Sequence, residues 1–69
     1  MLTVAPLGDK LREARRREAL TQGELAEKSG VGITTIVRLE RGQIIEPRVS
    51  TLRKLAGVLG LEPRDLLED

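Results

Sequence analysis

The chain contains no cysteine, no histidine and no phenylalanine, tyrosine or tryptophan. Without cysteine it has neither disulfides nor thiolate–metal sites to support it. Without histidine it lacks both the commonest general base and the commonest metal ligand. Missing aromatic rings argue against single-stranded nucleic acids, which are usually gripped by stacking, and against an aromatic-walled small-molecule pocket. No apolar run approaches the roughly 20 residues of a membrane span. The start Met1-Leu2-Thr3-Val4-Ala5-Pro6 does not read as a signal peptide, so a cytoplasmic protein with no membrane role is expected. No nucleophile elbow and no Walker glycine loop is present, so no enzyme, cofactor or metal site is expected.

What remains is a chain of 69 residues, enough for one small domain and no second. It is 39% hydrophobic and 33% charged, the composition of a helical globular protein. Twelve basic against eleven acidic side chains give a net charge of +1, too balanced to advertise nucleic-acid binding by bulk charge. Any such function must come from placement.

Glycine and proline divide the chain into five short helical segments, an all-α class. The first spans about Leu7 to Ala19, with Leu7, Leu11 and Ala14 on one stripe and Arg12, Arg16 and Arg17 mostly outside. Thr21-Gln22-Gly23-Glu24 is a capping box that opens a two-turn helix ending at Lys28, before Gly30. The third runs from near Gly32 through Arg41. Its β-branched stretch Ile33 to Val37 would also suit a strand, but the spacing of Ile36 and Leu39 and the absence of a partner strand favour helix. A loop from Gln43 to Pro47 leads to a fourth helix, Val49 to Leu59, with Leu52, Leu55, Ala56 and Leu59 on one stripe. Pro63 suits the first position of a last short helix carrying Leu66 and Leu67.

The segment from Gln22 to Arg41 is the most informative. Two short helices turn through Gly30, small Ala26 permits a close crossing, and Leu25, Val31, Ile36 and Leu39 fill the space between. At roughly 100° per residue, Ile36 and Leu39 define the inner side of the third helix. Ile33, Thr34, Val37 and Arg38 then point almost opposite, and Thr35 lies on the flank.

The residues Leu11-Arg12-Glu13-Ala14-Arg15, Leu20-Thr21-Gln22, Glu24 to Lys28, Gly30-Val31, Ile36, Leu39 to Gly42, Pro47 and Leu52 to Leu61 are similar to those of a known family. The chain resembles the Cro/phage-repressor (XRE-like) helix-turn-helix family over roughly residues 7–67. That resemblance implies a compact five-helix lambda-repressor-like domain covering residues 1–69, with residues 1–5 as a flexible arm. It also implies a transcriptional regulator or repressor that binds double-stranded DNA with the second helix of the motif in the major groove. Gly32 departs from the Ser or Thr usual at that cap, and Ile33 and Val37 depart from the polar residues usual at reading positions.

On this reading Arg38 bonds guanine, Ile33 and Val37 pack on thymine methyls, and Thr34 does either. Gln22, Thr35, Arg41, Gln43 and Arg48 are the candidate phosphate contacts. The resemblance further pairs Arg15 with Glu40 as a salt bridge from the first helix to the third. It implies a homodimer on a palindrome, for which Leu61, Leu66 and Leu67 are the expected seam; with no sensor domain read in the sequence, no small-molecule effector is implied. The competing reading is a protein-interaction module in which Ile33, Val37, Ile44 and Ile45 form one exposed apolar patch.

Overall fold

A computed structural model of the chain describes residues 7–44 and 46–67. The expected arm at residues 1–5 and the side chain of Ile45 lie outside the described residues. Five helices follow one another: α1 (Leu7–Arg17), α2 (Gln22–Ser29), α3 (Ile33–Glu40), α4 (Val49–Leu59) and α5 (Pro63–Leu67). Among the described residues there is no strand. Helix α1 packs on α3 and α5, α2 on α3 and α4, and α4 on α5.

One apolar residue set joins them. Leu11 and Ala14 of α1, Leu25 of α2, Ile36 and Leu39 of α3, Leu52, Leu55, Ala56 and Leu59 of α4, and Leu66 of α5 are all buried, with Val31 from the turn. Full burial of a leucine or isoleucine side chain stabilises by about 1.5–3 kcal/mol. Leu11, Leu25, Ile36, Leu39, Leu55 and Leu66 are fully enclosed, so every helix contributes at least one such anchor. Local propensity alone would not hold helices of five to eleven residues, which are too short to persist in water by themselves.

The ends of the helices follow side-chain and backbone chemistry. At α2, the Thr21 hydroxyl accepts from the Glu24 amide at 3.0 Å, and the Glu24 carboxylate accepts from the Thr21 amide at 2.9 Å. The Thr21 amide, and after it the Thr21 hydroxyl, hold the Glu24 carboxyl below its ordinary pKa. Gly30 closes α2 at φ 77°, a left-handed conformation that a residue without a Cβ adopts at no steric cost. The expected end of α1 at Ala19 is two residues too far. The amides of Ala19 and Leu20 fold back onto the carbonyls of Arg16 and Arg15 at 2.9 and 3.1 Å, a Schellman turn with Ala19 at φ 56°.

Two expectations about apolar residues are corrected. Leu66 is 1% exposed and belongs to the core, so it is not available as a dimer seam. Leu61 is partly buried and packs on the same core, leaving Leu67, 57% exposed, as the outward residue of the three. Ile44 likewise packs against the core. Of the expected patch of Ile33, Val37, Ile44 and Ile45, Ile33 is exposed while Val37 and Ile44 are half-buried.

Candidate nucleic-acid interface

Helix α3 carries the site because its two sides have different fates. Ile36 and Leu39 are fully enclosed, fixing the helix by its inner stripe. On the other side Ile33 is 49% exposed, Thr34 and Arg38 are exposed, and Val37 is half-buried. The outer face thus presents a guanidinium, a hydroxyl and two branched apolar groups. Thr35 is half-buried on the flank, where it lines a shallow depression with Ile44, Pro47 and Thr51. Arg48 and Glu46 border the same depression. Arg41 and Gln43 are exposed just past the end of α3. The start of α2 lies beside the start of α3, since a Cβ built on Gly23 would sit 3.9 Å from Ile33 Cδ1.

The other end of α3 is tied down by charge. Glu40 is 4% exposed and its carboxylate is fully engaged. Arg15 donates through Nε to Oε2 at 2.7 Å and through Nη2 to Oε1 at 2.9 Å, a bidentate fork. Gln22 donates through Nε2 to Oε1 at 3.1 Å. Arg15 also donates through Nη1 to the Leu20 carbonyl at 2.8 Å. One carboxylate therefore joins α1, the start of α2 and the end of α3.

Burial alone would push the Glu40 pKa up, and it is the largest single influence. The bonds from Arg15 and Gln22 and the charges of Arg15 and Arg12 together outweigh it and hold the carboxyl below its ordinary value. The bond to Glu40 raises the Arg15 pKa further, so the pair is ionised across the physiological range. Such a pair fixes orientation more than it adds stability, because desolvating two charges offsets most of their attraction. Gln22, read from the sequence as a phosphate contact only, is here also a partner of Glu40.

Two residues at this junction were not legible as functional. Arg12, expected to face outward, instead reaches across to α3: Nη2 donates to the Glu40 carbonyl at 2.7 Å, and Nε lies 3.6 Å from Oε1. Gly8 is buried where α1 crosses the end of α3, and a Cβ there would overlap the carbonyl oxygens of Leu39 and Glu40. A glycine inside a helix costs about 1 kcal/mol relative to alanine. That cost was the available signal that two backbones meet there.

The chain matches the helix-turn-helix family over residues 11–66. It is 39% identical over 64 residues to an uncharacterised HTH-type transcriptional regulator, RghRB of Bacillus subtilis, covering 93% of this chain and 46% of that protein. An uncharacterised HTH-type transcriptional regulator of Methanothermobacter thermautotrophicus is 42% identical over 52 residues, covering 75% of this chain and 74% of that one. The crystal structure of SinR, the master regulator for biofilm formation, in complex with DNA superposes with a TM-score of 0.87 at 29% identity, over 90% of this chain and 98% of that chain. The chain spans about half the length of the Bacillus subtilis regulators it matches, 46% of RghRB and 57% of SinR. With a turn at Gly30 between α2 and α3, a buried inner stripe and a match from residue 11 to residue 66, the chain belongs to the helix-turn-helix family.

Proposed function

We propose that this chain binds double-stranded DNA sequence-specifically as a non-catalytic, cytoplasmic transcriptional regulator, with α3 in the major groove. The observation that carries the reading is the outer face of α3, where Ile33, Thr34, Val37 and Arg38 stand opposite the enclosed Ile36 and Leu39. Support also comes from the likeness to SinR in its DNA complex.

Each role follows from the chemistry of the groove. Arg38 has the planar fork that matches guanine O6 and N7, while Ile33 and Val37 offer methyl groups to thymine. Thr34 supplies a hydroxyl. Helix geometry leaves the backbone N–H groups of Gln22 and Gly23 without intrahelical partners at the positive end of the α2 dipole, a seat for a phosphate. Thr35, Arg41, Gln43 and Arg48 are the further phosphate contacts. The Arg15–Glu40 pair holds these groups in one frame, and the bond that the Gln22 amide donates to Glu40 leaves its second N–H for a phosphate.

A single recognition helix reads one half-site. Binding as a homodimer to a palindrome, with the two α3 helices roughly 34 Å apart, supplies the rest. Of the three leucines considered, Leu67 remains available for the seam. The protein-interaction alternative is weakened because Val37 and Ile44, two of its apolar residues, are half-buried.

Selection from random duplexes, followed by titration at several salt concentrations, tests the reading. A preferred palindrome should emerge, with log K falling against log salt at a slope of about −4 to −8 for a dimer. Arg38→Ala should cost about 1–3 kcal/mol on that duplex and flatten preference at one guanine per half-site. Failure to select any duplex would overturn the assignment. Equal weakening of preferred and scrambled duplexes would make Arg38 a phosphate contact.

A further inference from the structure

The carbonyl groups that end α3 are fully accounted for, and one of the partners comes from outside the local chain. Val37 O accepts from the Arg41 amide at 3.0 Å, Leu39 O from the Gly42 amide at 3.1 Å, and Arg38 O from the Gln43 amide at 2.8 Å. Glu40 O accepts from Arg12 Nη2 at 2.7 Å. A guanidinium at the negative end of a helix meets both the orphan carbonyl and the dipole. Arg12 is itself held from the other side, its Nη1 lying 3.7 Å from Asp9 Oδ1 one turn earlier in α1. Its charge is therefore directed at Glu40 and Asp9. The approach that makes this reach possible is the backbone crossing at Gly8, where no Cβ fits.

We propose that Arg12, together with the close crossing at Gly8, is a positioning residue that seats the C-terminal turn of α3 against α1 and so sets how the reading face meets DNA. The role in recognition rests on the DNA-binding reading above. Arg12 acts through α3, so its loss changes which duplex is preferred. It does not change how many phosphates are neutralised. The seating itself is a property of the free protein and is measurable without any duplex.

The experiment compares wild type, Arg12→Met and Arg12→Lys. Methionine keeps the aliphatic stem that packs along the crossing and removes the charge and donors. In ¹⁵N-labelled protein without DNA, the amides of Arg41, Gly42 and Gln43 should shift and exchange faster in Arg12→Met, and return most of the way in Arg12→Lys. On the selected duplex, Arg12→Met should bind about tenfold more weakly, with a scrambled duplex and the salt slope both nearly unchanged. Gly8→Ala, which pushes the helices apart without unlinking them, should move the same amides.

Unmoved amides in Arg12→Met overturn the seating, whatever the duplexes show. A salt slope shallower by about 0.9, with both duplexes weakened alike, makes Arg12 a phosphate contact and overturns the positioning role. If wild type selects no duplex, the DNA reading falls and takes the recognition role with it. The amide shifts still decide whether Arg12 seats the helix.

Discussion

Ala19 holds a left-handed backbone at φ 56°, the one residue other than glycine to do so among the described residues. For an L-residue with a Cβ this conformation costs about 1–2 kcal/mol. Glycine would remove that cost and give back part of the gain through the greater freedom of its unfolded chain. Ala19→Gly should therefore raise stability by about 0.5–1 kcal/mol, the reverse of the usual effect of glycine beside a helix. Chemical denaturation measures it directly, and a lower midpoint would mean that the entropy of the unfolded chain prevails. This residue also explains a misplaced boundary. Nothing in Arg17-Glu18-Ala19 says that the helix stops; just beyond it Leu20 packs, partly buried, against the core. The same limit hid Arg12. A helical wheel sorts α1 into an inner and an outer stripe, but a flexible guanidinium on the margin goes wherever a neighbouring helix end presents a carbonyl.

Among the elements, α3 was the most ambiguous in sequence and the best defined by position. Its run of β-branched residues fits a strand as well as a helix by propensity. The spacing of Ile36 and Leu39 decided the matter, because only a helix places both on the same buried side. The outer face follows from that spacing alone, so the placement of Ile33, Thr34, Val37 and Arg38 was legible without any tertiary information. The fate of Leu66 was not, since a five-residue helix presents too few positions to distinguish an inward leucine from an outward one. The start of α3 is also less supported than its end. Gly32 occupies the cap with no side-chain bond to the helix, and the space around it is open. Gly32→Ser should place a hydroxyl within reach of the Thr35 amide and stabilise by a few tenths of a kcal/mol, roughly the usual gap between the two caps. A lowered denaturation midpoint would show that the glycine serves the turn and not the cap.

For the whole molecule, the junction at Glu40 makes stability depend on pH. Its carboxyl is held below the ordinary glutamate value in the folded chain, so the unfolded chain binds protons more readily. The stabilisation is fully present above the unfolded value of about 4.3 and is lost as pH falls from there through the folded value. Glu24, lowered by its capping bonds, acts in the same direction. Denaturation midpoints measured from neutral pH down to about pH 3 should fall steeply over that window. Glu40→Gln should start less stable and fall less steeply, the remaining slope coming in part from Glu24. An unchanged slope in Glu40→Gln would remove Glu40 from the account.

The two ends of α3 are held by different means. Its last turn is held by backbone bonds and by the charges of Arg12 and Arg15, whereas its first turn is held by the enclosed Ile36 and carries no side-chain cap at Gly32. The helix is thus tied by charge at its heel and by apolar packing at its toe. In the reading proposed above, Arg38 lies near the charged end and Ile33 and Thr34 near the apolar one. Acid, by protonating Glu40, then unsettles the seat of the guanidinium before that of the two residues at the toe.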